Sequence, residues 1–501
     1  MTSLHLQNRA VLSSFLAVSL ASAVACGGDA EVKKEDPVAI KHRAPPDEPW
    51  RKEKPKSGAE STVAFPTFVR ETLPNGLTLF VVEEHALPIV DVRVVVHAGS
   101  ALDSAKTTGL VSLAYDMLDE GAGSMGSAEL AEAFAKLGTS VRIGADREAG
   151  GVAVGLLKRH LPVGFDLLSQ VVLKPTFDKD RFEKVRAERL SSITQRLGEP
   201  MSLAFETLAQ AAFGPEHAYG LVALGTTETV EKMKVADVKK FWTDQVGPAN
   251  TAIVFAGDIT LDEAKKLVDQ YFGKWKNKAK RPVAPKDPTT TKPLIHLVKG
   301  PAGSPQTVLA LGRPFIAHGD ADETPAEVMN QILGGMFSSR LNMKLREEKR
   351  WTYGAWSRVD PRLGRGPFMA GASVVADQTV PALQETLAVL EALTTAPVTD
   401  EELALAKSNL VKSLPSKLET IGALGGAAAE LYLYNLPLDH YATRAAAWNA
   451  VTKENVQEVA KRALAKDGLT IVLVGDADKL AEPLKALGEV SLVEPGAVPA
   501  R

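Results

Sequence analysis

Three segments of this chain recur in its second half, in the same order and at nearly one offset. The first half closes on TAIVFAGDIT (Thr251 to Thr260) and the second on LTIVLVGDAD (Leu469 to Asp478), which places Gly257 and Gly475 218 positions apart. A helical pattern precedes each closing segment, around Val235 to Trp242 and Lys453 to Ala463, and Val238 and Val456 again differ by 218. Farther upstream KPTFDKDRFEKVRAERL parallels APVTDEELALAKSNL, with Pro175 and Pro397 offset by 222. A repeat of this length means that one structural plan is built twice. At 501 residues the chain is too long for a single compact core, so two similar units are expected. Strands and helices come in mixed order rather than strict strand–helix–strand alternation, which predicts two α+β sandwiches.

Between the repeats, Asn277 to Pro293 (NKAKRPVAPKDPTTTKP) lacks apolar periodicity and is rich in Pro, Lys and Thr, the composition of an interdomain linker. A second such stretch runs from Gly27 to about Thr62 and cannot bury enough apolar surface to fold, so it reads as a flexible tether. Ahead of it, Arg9 followed by AVLSSFLAVSLASAVA reads as an export signal, too short and serine-rich for a stable membrane span. The run ends in Ala23-Val24-Ala25-Cys26, which is similar to a bacterial lipobox without its usual leucine. Two processing readings stay open: lipidation of Cys26, or ordinary cleavage after the A-x-A triplet. Both place the mature chain outside the cytoplasm, and the lipobox reading anchors it in the cell envelope, at the outer membrane facing the periplasm. The resulting boundaries are a signal at 1–26, a tether at 27–62, a first half at 63–277, a linker at 278–293, a second half at 294–490 and a tail at 491–501.

Within the first half, Pro74-Asn75-Gly76 is a tight turn beside the β-rich LTLFVVEE and IVDVRVVVHAG. Helical patterns follow at Gly109 to Leu118 and Ala128 to Leu137, then strand-like VRIGAD and GGVAVGLL. Long helices are predicted over His160 to Val172 and Asp178 to Gln195. The formal net charge of −3 carries no electrostatic footprint for nucleic acid, so no nucleic-acid partner is expected. Cys26 is the only cysteine, which excludes an intramolecular disulfide and a cysteine zinc site.

NGLTLFVVEEHALPIVDVRVVVHAGS near the start, AYGLVALGTTETVEKMKVADVKKFW in the middle and FSSRLNMKLREEKRWTYGA in the second half resemble the insulinase/pitrilysin family of zinc peptidases. The resemblance is to its short bacterial members related to mitochondrial processing peptidase, and it covers about Phe65 to Glu489. It implies two homologous α/β sandwich domains, each a mostly antiparallel sheet flanked by helices, joined by the linker in a clam-like pair. Active members of the family carry His-x-x-Glu-His on a helix, with the histidines on one face holding zinc and the glutamate activating a water. The matching segment here is GLVSLAYDMLDEG. Ser112 and Asp116 stand at the two histidine positions, Tyr115 stands at the general base, and Ser192, 76 positions past Asp116, stands at the further glutamate ligand. Neutral hydroxyls and one carboxylate do not hold zinc usefully. The nine histidines are scattered, and no other helical histidine pair exists.

What the resemblance retains is a second feature. Arg346 and Tyr353, seven positions apart, match the arginine and tyrosine with which family members hold substrate over the zinc of the opposite half. An always-charged guanidinium and a phenol suit a peptide carbonyl and a developing oxyanion. Spacing alone also fits a plain charged helix face followed by a strand. Gly334-Gly335 falls where family members have a glycine-rich loop, and reads most simply as a turn.

The resemblance therefore implies a non-catalytic subunit with no cofactor of its own. Zinc is expected only in a partner subunit of the same family that bears the intact motif, and the shared ligand is a peptide. The alternatives are a peptide-binding or scaffold protein without a proteolytic partner, and an active hydrolase with a metal site rebuilt around Asp116.

Overall fold

The computed structural model describes residues 65–289 and 294–500, with residues 48 and 49. Cys26, the rest of the export signal and nearly all of the tether lie outside the described residues. Val63–Arg501 forms one compact unit.

The first half contributes strands β1 (Val69–Thr72), β2 (Thr78–Glu83) and β3 (Ile89–Val96), a small ribbon of β4 (Gly121–Ala122) with β5 (Met125–Gly126), then β6 (Arg142–Ala145), β7 (Gly150–Leu157) and β8 (Thr251–Gly257). Its helices are α1 (Leu110–Asp116), α2 (Ser127–Lys136), α3 (Leu161–Leu173), α4 (Lys179–Leu197) and α5 (Pro200–Phe213). They are followed by α6 (Thr227–Lys232), α7 (Val235–Gln245) and α8 (Leu261–Phe272). The second half contributes β9 (Ile295–Lys299), β10 (Gln306–Pro314), β11 (Thr352–Val359), β12 (Pro367–Val375), β13 (Thr470–Gly475) and β14 (Val490–Val493). Its helices are α9 (Glu323–Asn330), α10 (Arg340–Asn342), α11 (Thr379–Thr395) and α12 (Asp400–Ser413), then α13 (Ile421–Leu433), α14 (His440–Ala450), α15 (Lys453–Ala463) and α16 (Ala477–Leu484).

Two six-stranded sheets result, in the orders β1-β2-β8-β3-β7-β6 and β14-β9-β13-β10-β12-β11. Read this way they match strand for strand. The β2–β8 and β9–β13 pairs are parallel, and β3, β7, β6 and β10, β12, β11 continue antiparallel. The duplicated α+β architecture predicted from the repeat is therefore present. The halves differ at one edge, where β1 precedes β2 and runs antiparallel to it, whereas β14 follows α16 and runs parallel to β9. That sheet reaches three residues into the segment 491–501, which the sequence alone marks as a tail.

Strands such as TAIVFAG are buried at every position, because both faces of each sheet are covered. One face of the first sheet packs on its own helices, through Leu79, Val92, Phe165 and Phe255 among others. The opposite face receives α13 from the second half, in a core that joins Phe80, Val82 and Val254 to Leu424, Ala428 and Tyr432. The exchange is mutual, since α5 of the first half lies on the second sheet through Leu203, Ala204 and Leu208 against Val308, Ala310 and Val472. Gly425 permits the close approach of α13. A Cβ there would stand 2.5 Å from Asp91 Oδ1. Asp91, buried on β3, accepts from Arg93 Nε (2.5 Å) and Arg142 Nη2 (2.9 Å), and Arg93 also donates to the Gly422 carbonyl.

Residues 273–289 carry no helix or strand but lie along the seam. Arg281 donates to the Tyr432 and Leu433 carbonyls (3.0 and 2.7 Å) at the C-terminal end of α13, where a cation offsets the helix dipole. Among the described residues, no helix is long and apolar enough to cross a membrane.

Candidate functional site

Helix α1 carries the degenerate motif, and its start is held by a buried carboxylate. Asp103 accepts the N–H groups of Gly109 (2.9 Å) and Val111 (3.3 Å), two donors that have no partner within the helix. Burial pushes this carboxyl up to about 7, against those two bonds and the nearby Arg147 and Arg189.

Ser112 and Asp116, one helical turn apart, both face α4. There Asp178 caps the helix by accepting from the N–H groups of Asp180 and Arg181, and Phe182, Val185, Arg189 and Ile193 form its buried stripe. The 3-4-4 spacing is that of one helix face. Arg189 Nη1 donates to Ser112 Oγ (2.6 Å) and to the Leu224 carbonyl (3.1 Å), while Nη2 is ion-paired with Asp116. Ser112 Oγ in turn donates to the Ala223 carbonyl (2.8 Å). The guanidinium is buried and the Asp116 side chain is 45% exposed. An arginine thus supplies the positive charge that the two motif positions face.

Ser192 does not join them. It is exposed, one residue off the buried stripe, and its hydroxyl donates to the Glu188 carbonyl of its own helix (3.0 Å). The structure brings Ser112 and Asp116 together through Arg189 and leaves Ser192 outside. Arg189 was missed because the motif spacing points to position 192. The signal was nonetheless there: a lone arginine at an apolar position of α4, opposite a lone acid.

Tyr115, at the general-base position, is fully buried. Its ring lies edge-on to Trp242 (centroids 5.3 Å) and over Gly150, where a Cβ would stand 2.1 Å from the ring. Its hydroxyl has no hydrogen-bond partner among the described residues, and burial together with Asp146 holds the phenol above its ordinary range. A buried neutral phenol without a partner cannot take a proton from water. Among the described residues, no group of three or more His, Cys, Asp or Glu side chains is placed to hold a metal. The donor set on α1 and α4, which is a hydroxyl, one acid and a guanidinium, does not fit zinc, and no hydrolytic step follows from it.

The second half presents a different arrangement. Arg346 lies in a π-helical turn (Met343–Glu348), and Tyr353 is the second residue of β11, an edge strand paired only with β12 among the described residues. The connection is tight. Arg350 takes a left-handed φ of 60°, and the Trp351 N–H bonds the Leu345 carbonyl (2.9 Å). Between Thr352 and Ala355 the pairing register slips by a bulge. Thr352 Oγ1 holds that bulge, donating to the Ser373 carbonyl (2.6 Å) and accepting the Gly354 N–H (3.1 Å). The bulge turns Tyr353 outward, 90% exposed. The Arg346 side chain is 41% exposed and stacks over the ring of Phe337 (4.9 Å), itself largely exposed.

Gly334 and Gly335 end a second π-helical turn, Gln331–Gly335, rather than forming the plain turn expected. The turn crosses β11 so closely that a Cβ on Gly334 would lie 2.2 Å from Ser357 N. π-Helical turns carry a local cost and recur at functional sites.

A twice-built α+β sandwich, with its helical metal position closed by a guanidinium, defines a peptidase scaffold without its metal chemistry. Residues 79–222 match the insulinase (peptidase family M16) profile and residues 232–410 match the peptidase M16 inactive domain. The chain belongs to this family, as an inactive homologue lacking the zinc motif. It is 27% identical to an uncharacterized zinc protease of Mycobacterium bovis, over 70% of this chain and 80% of that one. It is 23% identical to the non-peptidase homolog YmxG of Helicobacter pylori, over 79% and 91%. The crystal structure of a peptidase M16 inactive domain from Pseudomonas fluorescens superposes with a TM-score of 0.77 at 26% identity, covering 81% of this chain and 98% of that one.

Proposed function

We propose that this chain is the non-catalytic, substrate-gripping subunit of a heterodimeric insulinase-type zinc peptidase of the cell envelope, held at the membrane by a lipid on Cys26. Zinc would reside only in a partner subunit with the intact His-x-x-Glu-His motif. The observation that carries the reading is the exposure of Tyr353 on a bulged edge strand, joined by a short, tight connection to Arg346. A protein that kept these residues for its fold alone has no need to turn a tyrosine out to solvent. A free strand edge suits the main chain of an extended peptide, and a guanidinium and a phenol suit its carbonyls. The closure of the metal position by Arg189 supports placing the chemistry in a partner.

The test is co-expression with a motif-bearing family member from the same organism. A stable complex with chelator-sensitive peptidase activity is expected. The double substitution Arg346→Ala/Tyr353→Phe is expected to lower cleavage by about 100-fold with the complex intact. Chelator-sensitive cleavage by this chain alone would sink the proposal, and unchanged cleavage by the double variant would remove the gripping role. Mass analysis of the mature N-terminus decides whether Cys26 carries the lipid.

A further inference from the structure

Where the halves clasp, α5, β10 and β12 line a cavity of about 210 Å³. Phe205 and Leu208 from α5 and Phe368 from β12 give it apolar walls. Three guanidiniums also line it, Arg147 from the first half and Arg313 and Arg362 from the second, against a single carboxylate, Glu206. That carboxylate is already matched by Arg196 (3.1 Å), and Arg362 is matched by Asp360 (2.7 Å).

Arg147 and Arg313 make no direct ion pair among the described residues, although Glu206, Asp103 and Asp146 lie near Arg147 and Asp467 lies near Arg313. Arg147 donates to the Leu221 carbonyl, and Arg313 to the carbonyls of Ala465 (3.3 Å) and Asp467 (3.1 Å). Main-chain carbonyls satisfy N–H groups without neutralising charge. Burial and the neighbouring Arg362 push Arg147 down to about 10, in spite of Glu206, Asp103 and Asp146 nearby. A lining in which guanidiniums outnumber carboxylates three to one, between apolar walls, favours an anion with an apolar body.

We propose that this seam cavity binds a small organic carboxylate, its anionic end between Arg147 and Arg313 and its apolar body against Phe205, Leu208 and Phe368. The size fits, since a cavity of about 150 Å³ accommodates benzene. Because the ligand touches both halves, binding stabilises their clasp. A free acid and the C-terminal residue of a peptide share this chemistry.

The experiment is calorimetric titration of the full-length protein with benzoate, benzyl alcohol and N-acetyl-alanyl-phenylalanine at matched ionic strength. Benzoate or the acetylated dipeptide is expected to bind saturably at one site, with benzyl alcohol weaker by about tenfold or more. The tighter of the two acids identifies the source. Arg313→Gln is expected to weaken the acid by about tenfold. Leu208→Phe, which fills space without touching a charge, is expected to weaken it as well and serves if Arg313→Gln does not fold. Absence of saturable binding, equal binding of benzyl alcohol, or wild-type binding by the folded variants overturns the proposal.

Discussion

The region around α1 and the region around residues 343–353 handle polar groups in opposite ways. In the first, a cation is buried, given three acceptors and surrounded by core. In the second, an arginine and a tyrosine are held at the surface by a π-helical turn, a left-handed residue and a bulge, each of which has a local cost. Charge placed where it stabilises the fold is matched and enclosed. Arg346, placed for a visitor, is left exposed, with the equally exposed Glu347 beside it (3.5 Å). The same chain does both, and the contrast separates the position that has become structural from the one that remains available.

That contrast can be broken most directly at Arg189. Arg189→Ala strands the Asp116 carboxylate, Ser112 and the Leu224 carbonyl, and is expected to cost about 3 kcal/mol in urea unfolding. Asp116 is half exposed, which keeps the loss below that of a fully buried pair. A loss under about 0.5 kcal/mol would mean that the guanidinium is not the cation holding α1 to α4.

On the open side, Gly334→Ala forces a methyl into the backbone of β11 and should cost about 2 kcal/mol. Sharper proton spectra at Tyr353 without any stability loss would contradict the close approach as its cause. Tyr115→Phe removes a buried hydroxyl with no partner among the described residues, so it should leave stability unchanged or raise it by about 1 kcal/mol. A clear loss would reveal a partner for that hydroxyl. The smallest effect is expected at the exposed pair itself, where Arg346→Ala/Tyr353→Ala should shift stability by less than about 0.5 kcal/mol. A large shift there would make the pair part of the fold and erase the contrast.

Much of this architecture was legible in the linear chain because local rules and tertiary demands agree. The repeat offset located two copies of one plan. The runs IVDVRVVV and TAIVFAG marked strands covered on both faces, and Pro74-Asn75-Gly76 marked the turn, where Gly76 takes a left-handed φ of 90°. Loss of the zinc ligands followed from residue identity alone, since a hydroxyl cannot become an imidazole in any fold.

What the chain could not declare was which side chains from distant segments would meet. Ser192 satisfied the motif spacing, yet the stripe Phe182, Val185, Arg189, Ile193 decided the inward face of α4, and a long arginine reached a position that a serine cannot. The exchange of α5 and α13 between the sheets was equally invisible, because each helix is apolar in a way that its own half could have used. Sequence determined what each residue can do: which positions can bind a metal, cap a helix or pack a strand. Tertiary structure decided which of them are neighbours, because burial and charge matching act between segments that lie far apart along the chain.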